Sequence, residues 1–313
     1  MTASAFEIAQ RLQANIQRVV LGKEDLIRSL VVTLLAGEHV LLEDVPGVGK
    51  TLAAKALARS IEGRFHRLQF TPDLLPSDIV GSSLYRSDRE EFVFSEGPVF
   101  ANVLLADEIN RAPPRTQSAL LEAMSEAQVS VDGVTYPLPR PFIVVATQNP
   151  FEYEGTYPLP ESQMDRFLLR TSIGHPARDV EREVLQTHRR GEPVDQLSPV
   201  VTPSEILMAQ GVVRDVRFDP SLVDYLLDIV YATRRSELFR VGVSTRGGLS
   251  FYRGCQARAV TFGRDYVIPD DIKRMAIPAL AHRVIPTGIF QGAERHSIES
   301  QMGELLESIA VPV

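Results

Sequence analysis

Gly47, Gly49, Lys50 and Thr51 follow an apolar run that ends at Glu43 and precede the Ala/Leu-rich stretch 52–59. Phosphate needs several backbone N–H donors converging at close range. Glycines let the chain curl to present them, and the start of a helix adds a positive field. In this spacing Lys50 can reach β- and γ-phosphates, the Thr51 hydroxyl can ligate Mg²⁺, and Asp44, Val45, Pro46, Val48 and Leu52 complete the cradle. The ligand implied is a nucleoside triphosphate with Mg²⁺. The strict pattern G-x-x-x-x-G-K-[ST] is broken, because Asp44 stands at its first glycine. Aspartate tolerates turns and left-handed backbone better than most residues, so the bend is expected to survive. A second apolar run, 103–106, ends in Asp107 and Glu108. Ligands gather at the carboxyl ends of parallel strands. There Asp107 could complete the Mg²⁺ shell and Glu108 could orient and polarise an attacking water. Taken alone, the pair also reads as two solvated acids at a strand end.

These groups need a rigid frame. Apolar spacing predicts helices over 6–20 and 24–36, with a turn at Leu21-Gly22-Lys23. Strands are expected at 39–43, 65–70, 102–106, 142–146 and 167–171, with helices at 52–59 and 116–127. Residues 91–94 could be a hairpin strand, and 129–136 is a hairpin turning on Asp132-Gly133. The strand runs are continuous rather than alternating, which indicates a parallel sheet covered on both faces. After Gly174-His175-Pro176 the pattern becomes helical, at 178–190, 203–213, 220–235, 245–262 and 270–284. Many of these segments open with Ser, Thr, Asp or Pro, which are good helix starts. The expected organisation is an α/β nucleotide-binding core over 1–172 and an all-α lid over 173–313.

The 313 residues, 44% of them hydrophobic, can bury one large core or two ordinary ones. A net charge of −7 argues against nucleic acid as the main partner. Cys255 is the only cysteine, so no internal disulfide or cysteine-cluster metal site can form; it reads as a small buried residue. The histidines show no metal-ligand spacing. No leader is visible in residues 1–7, and the most apolar stretch, 26–42, is interrupted by Arg28, Glu38 and His39. The expectation is a soluble cytoplasmic protein with no membrane segment.

Beyond the phosphate loop, the chain carries Asp107-Glu108-Ile109-Asn110-Arg111-Ala112-Pro113, Ala146-Thr147-Gln148-Asn149-Pro150 and Pro160-Glu161-Ser162-Gln163-Met164-Asp165-Arg166-Phe167. It also carries Gln69-Phe70-Thr71-Pro72-Asp73-Leu74-Leu75-Pro76-Ser77-Asp78. In these motifs and in their order it resembles the MoxR family of AAA+ ATPases over nearly its whole length. The resemblance implies a P-loop parallel sheet flanked by helices and followed by an all-α lid. It implies that Asn149 is the sensor-1 residue, placed to hold the water or the γ-phosphate, and that Arg166 is an arginine finger reaching a neighbouring subunit's nucleotide. A surface ion pair with Asp165 or Glu161 is the other reading of Arg166. Arg246 would be sensor 2, opening a lid helix and laying its charge on the γ-phosphate, although Gly247-Gly248 are poor helix formers. Leu21 and Gly22 would contact adenine. Residues 81–98 resemble a helix-2 insert and 129–136 a pre-sensor-1 hairpin; both would sit near a ring's pore, or else are decorated surface loops. Arg111 and Arg115 read as a solvated face or as interface residues. The function implied is ATP hydrolysis coupled to chaperone-like remodelling or maturation of a partner protein. The family association extends to metal insertion with a von Willebrand-A domain partner, and to self-association into an ATP-dependent ring, a hexamer by family expectation. A nucleotide-gated assembly module with slow hydrolysis is the alternative, and a DNA motor is disfavoured by the acidic charge.

Overall fold

Five segments pair side by side in one parallel sheet. The computed structural model describes residues 2–45, 47–88, 90–150, 155–187, 191–287 and 294–312. In chain order the first half comprises α1 (Thr2–Gln17), α2 (Glu24–Ala36), β1 (His39–Glu43), α3 (Lys50–Arg59), β2 (Phe65–Gln69), α4 (Pro76–Val80), β3 (Gly81–Arg86), β4 (Glu91–Glu96) and β5 (Val103–Asp107). It continues with α5 (Pro114–Glu126), β6 (Gln128–Val131), β7 (Val134–Pro137), β8 (Ile143–Gln148), α6 (Glu161–Met164) and β9 (Phe167–Thr171). The remainder comprises α7 (Arg178–Thr187), α8 (Pro203–Arg214), α9 (Pro220–Arg235), β10 (Phe239–Val241), α10 (Thr245–Thr261), α11 (Pro269–Leu280), β11 (Ile285–Pro286) and α12 (Glu294–Glu307).

The sheet order is β2-β5-β8-β1-β9. Strands β1 and β5 are buried along their whole length, as their unbroken apolar runs require. Alternate side chains feed two separate cores. Val40, Leu42, Val103, Leu105, Ile143 and Val145 pack with the flanking helices of one face and with the later helical region. Leu41, Leu104, Ala106, Val144 and Ala146 pack with α5 residues on the other. Strand β2 lies at an edge with only Leu68 buried, so its polar side chains stay available at the strand end.

The amino-terminal helices bridge the two halves: α2 packs on α10 and α8, and α1 on α8 and α10. The segment 91–94 proves to be part of a hairpin with β3, registered from Gly81–Glu96 to Arg86–Glu91. Its partner strand escapes sequence reading because Gly81-Ser82-Ser83 carries no apolar alternation. The two hairpins pack together: Ser83 donates to Asp132 at 2.6 Å, and Phe94 stacks on Tyr136 at 4.0 Å. Helix α12 was not expected, although Ile298 and Met302, four apart, give it a buried stripe. No described helix is long and apolar enough to cross a membrane.

Candidate nucleotide site

The carboxyl ends of β1, β5 and β8 meet the phosphate loop. Gly47 and Gly49 adopt φ of +87° and +99°, and a Cβ on either would meet nothing within 4 Å. The loop is therefore held open on its outer side, with glycine required by conformation. Pro46 lies outside the described residues. Helix α3 starts at Lys50, directly behind Gly49, so its free amides point into the loop. Asp44 is not among the positive-φ residues. The missing first glycine thus costs no strain, for a simpler reason than left-handed tolerance. Its carboxylate instead accepts the amides of Val45 (2.8 Å), Ile173 (2.8 Å) and Gly174 (2.6 Å), tying the loop to the chain leaving β9. Burial opposes its charge, but the Gly174, Val45 and Ile173 donors outweigh burial and hold the carboxyl below the usual range.

Lys50 donates to the carbonyls of Asp44 and, at 3.1 Å, Gln148. Burial lowers its ammonium pKa against the pull of Asp44, Asp107, Glu108 and Glu43. The Thr51 hydroxyl is 3.3 Å from Asp107 Oδ2, and Thr147 donates to Asp107 Oδ1 at 2.6 Å. A hydroxyl beside a carboxylate at the mouth of the loop is a hard-oxygen donor set, and it fits Mg²⁺. Glu108 takes φ of +58°, and its amide donates to Thr147 at 2.9 Å. A non-glycine residue in that conformation persists only where its surroundings fix it. Gln69 donates to the Glu108 carboxylate at 2.8 Å, and Arg111 pairs with it at 3.0 Å. Arg111 thus serves this site rather than a bare solvated face. Asn149, 9% exposed, follows β8 into the same cleft of about 510 Å³, which Lys50, Thr51, Leu52, Asp107 and Glu108 also line.

Arg67 escaped the sequence reading. Its guanidinium grips Asp107 Oδ2 at 2.8 and 3.1 Å and Gln69 at 3.1 Å, so β2 delivers a fork onto the acidic pair. The available signal was register: Gln69 lies opposite Asp107, which puts Arg67 on the same side of the edge strand. Leu21 and Gly22 are not among the residues that line the cleft. A Cβ on Gly22 would lie 3.0 Å from Val180, and Lys23 donates to the His175 carbonyl at 2.9 Å.

The structure does not bring Arg166 or Arg246 to this cleft. Phe167 pairs with His39, so Arg166 precedes the amino end of β9 while the phosphate loop follows the carboxyl end of β1. Four residue steps of β1 separate these ends by about 13 Å. Arg166 donates to the Leu121 carbonyl at 3.1 Å and lines an open pocket with Glu122, Glu126 and Gln163. Its pKa is lowered by burial and then by the positive charge of Arg246, whose helix start is tied to the residue before Arg166 by the Ser244–Asp165 hydrogen bond. Glu38, at the foot of β1, feels Arg283, Arg246 and Arg253, yet burial is the larger effect and raises its carboxyl pKa. The expectation that Arg246 reaches the phosphate loop of its own chain is therefore not met. Helix α10 is docked on the amino edge of the sheet, through Ser244 to Asp165 at 2.9 Å.

The profile of the ATPase family associated with various cellular activities (AAA) matches residues 39–169, and that of the AAA lid domain matches 231–303. The chain is 48% identical to the Bacillus subtilis protein YeaC over 96% of this chain and 93% of that one. It is 42% identical to the Mycobacterium tuberculosis protein named Chaperone MoxR1, over 99% and 84%. A crystal structure of a Cytophaga hutchinsonii protein assigned as an ATPase superposes with a TM-score of 0.87 at 35% identity, covering 99% of this chain and 97% of that one.

Proposed function

The chain belongs to the MoxR family of AAA+ ATPases, and from that premise we propose that it hydrolyses ATP at a site completed by a neighbouring copy and uses the cycle to remodel or mature a partner protein. The observation that carries the reading is the separation of Lys50, Thr51, Asp107, Glu108 and Asn149 at one edge of the sheet from Arg166 and Arg246 at the other. One chain cannot apply both to one nucleotide. A head-to-tail contact can, and repeating it closes a ring; six copies is the family expectation.

In this reading the phosphate loop, Lys50 and the α3 amides bind the phosphates. Thr51 and Asp107 would hold Mg²⁺, which neutralises phosphate charge when bound. Glu108, aimed by Gln69 and Arg111, polarises a water whose oxygen attacks the γ-phosphorus as the bond to the β–γ bridging oxygen breaks, and the water's proton passes to the carboxylate. Asn149 orients the water or the γ-phosphate. Arg166, with Arg246 beside it, places fixed positive charge on the leaving phosphate oxygens of the neighbour's nucleotide. Loss of the γ-phosphate removes those contacts, and the differential drives the motion between subunits.

The name of the mycobacterial relative supports a chaperone-like output. A von Willebrand-A domain partner and metal insertion extend that proposal. The exposed Leu84, Tyr85, Phe92 and Val134 on the paired hairpins supply an apolar surface for a client at a ring's pore. Residues 1–172 as core and 173–313 as lid remain the proposed division, in a cytoplasmic protein.

Mixing subunits tests the shared site. Lys50→Ala rings and Arg166→Ala rings should each be inactive, and verified mixed rings should regain a measurable fraction of the wild-type ATPase rate. No recovery sinks the shared-site reading.

A further inference from the structure

The two arginines that leave the cleft need something to aim them, and the residue placed to do so is Arg283. It follows the last turn of α11 and carries a side chain only 1% exposed. Its guanidinium has four partners, and all of them bracket the arginine pair. One nitrogen donates to the carbonyls of Asp165 (3.2 Å) and Phe167 (2.8 Å), the residues immediately before and after Arg166. The other terminal nitrogen donates to the Gly247 carbonyl at 3.1 Å, the residue immediately after Arg246. The third, Nε, faces the Asp165 carboxylate at 3.1 Å. Asp165 also receives the Ser244 hydroxyl at 2.9 Å, and that same hydroxyl caps α10 by accepting the Gly247 amide at 2.9 Å.

Gly247 explains itself in this setting. A Cβ there would fall 2.9 Å from Val243, 3.0 Å from Arg283 Cδ and 3.3 Å from Asp165 Oδ1. A poor helix former opens α10 where a Cβ would crowd Val243 and the buried Arg283 side chain.

We propose that Arg283 is a positioning residue for the trans half of the ATPase site: by forking onto the backbone on both sides of Arg166 and behind Arg246, it locks the two guanidinium groups into one rigid donor unit. The planar fork matters, since lysine offers one compact charge and cannot span the three backbone acceptors together with the Asp165 carboxylate. The proposal rests on the shared-site reading above. It adds that a defect at Arg283 injures the donor face alone and leaves the phosphate loop of the same chain intact.

The test uses full-length Arg283→Lys. Its homogeneous rings should turn over ATP at least tenfold more slowly than wild type, while the Kd for a fluorescent ATP analogue stays within twofold. Mixed with Lys50→Ala subunits, which have an intact donor face, Arg283→Lys should recover activity as Arg166→Ala does. Mixed with Arg166→Ala subunits it should not. A wild-type rate, a Kd weakened along with turnover, or no rescue by Lys50→Ala subunits while Arg166→Ala is rescued would overturn the proposal and leave the shared site standing. Failure to rescue Arg166→Ala itself would overturn both. If Arg283→Lys does not fold, Asp165→Asn decides by the same criteria: it keeps the Ser244 contact and removes the charge facing Arg283, so a smaller loss with the same rescue pattern is expected.

Discussion

The two edges of one sheet are built by opposite strategies. At the carboxyl edge, one contiguous loop and the first residues after three strands make a cleft whose donors already point inward. At the amino edge, Glu38, Asp165, Arg166, Arg246 and Arg283 come from four places in the chain, and a buried guanidinium holds them together. The carboxyl edge binds by backbone curvature, which local sequence controls. The amino edge presents charge, and charge is useful only where packing fixes it. Burial pulls even the Arg283 guanidinium down to about 10, against the support of Asp165 and Glu38. In the proposed shared site, the phosphate-binding half is thus preformed by local sequence, whereas the charge-delivering half is a product of how the helical region docks.

The largest expected effects separate the edges kinetically. Removing Arg166 should lower turnover by about 10³–10⁵ with nucleotide affinity retained. Glu108→Gln should lower it by about 10²–10⁴, also with affinity retained. Single-turnover hydrolysis beside nucleotide binding reads both. Because Glu108 belongs to the receiving cleft, Glu108→Gln should be rescued by Arg166→Ala in mixed rings only through sites where Arg166→Ala supplies the cleft. Rescue through the reverse pairing breaks the comparison.

A smaller effect belongs to the amino edge alone. His39 is fully buried: the Val144 amide donates to its Nδ1 at 3.0 Å, so its Nε2–H donates to the Met124 carbonyl at 3.0 Å. Burial pulls its pKa to about 4, with the Arg166 charge adding to the shift against the Met124 hydrogen bond. A depressed folded pKa means that the unfolded chain takes up the proton first. The stability it confers is complete above about pH 6.5 and is lost as pH falls toward 4, by about 2 kcal/mol between pH 6.5 and 5. Urea unfolding of wild type and His39→Gln across that window checks it: the wild-type slope should flatten in the variant.

The smallest effect tests the loop. Asp44→Asn keeps the shape but has a single acceptor oxygen; turned toward the Ile173 and Gly174 amides, it loses the bond from Val45, and should cost about 1 kcal/mol in thermal unfolding. Asp44→Gly should cost more, although it restores the strict phosphate-loop pattern. A stabilised Asp44→Gly would show that the pattern, not the tie to the linker, governs the position.

Much of this was legible before folding. The parallel sheet follows from unbroken apolar strands, and the cleft from Gly47, Gly49, Lys50 and Thr51 read with Asp107 and Glu108. Arg67 and Gln69 were hidden because an edge strand announces its polar residues as ordinary surface; only the pairing of Gln69 with Asp107 reveals their use. Arg283 was hidden because 118 positions separate it from Asp165, and no local periodicity spans such a gap.

The sequence by itself determined the shape of the phosphate loop, since glycine conformation, a helix start and a following lysine act within a few residues of each other. Tertiary structure alone decided where the positive charges go. Docking α10 through Ser244 and Arg283 onto the start of β9 carries Arg246 away from its own cleft and sets the start of its helix against the residues flanking Arg166. The physical reason is range: backbone curvature is a local property, while the placement of a buried guanidinium depends on acceptors that meet only when distant segments pack.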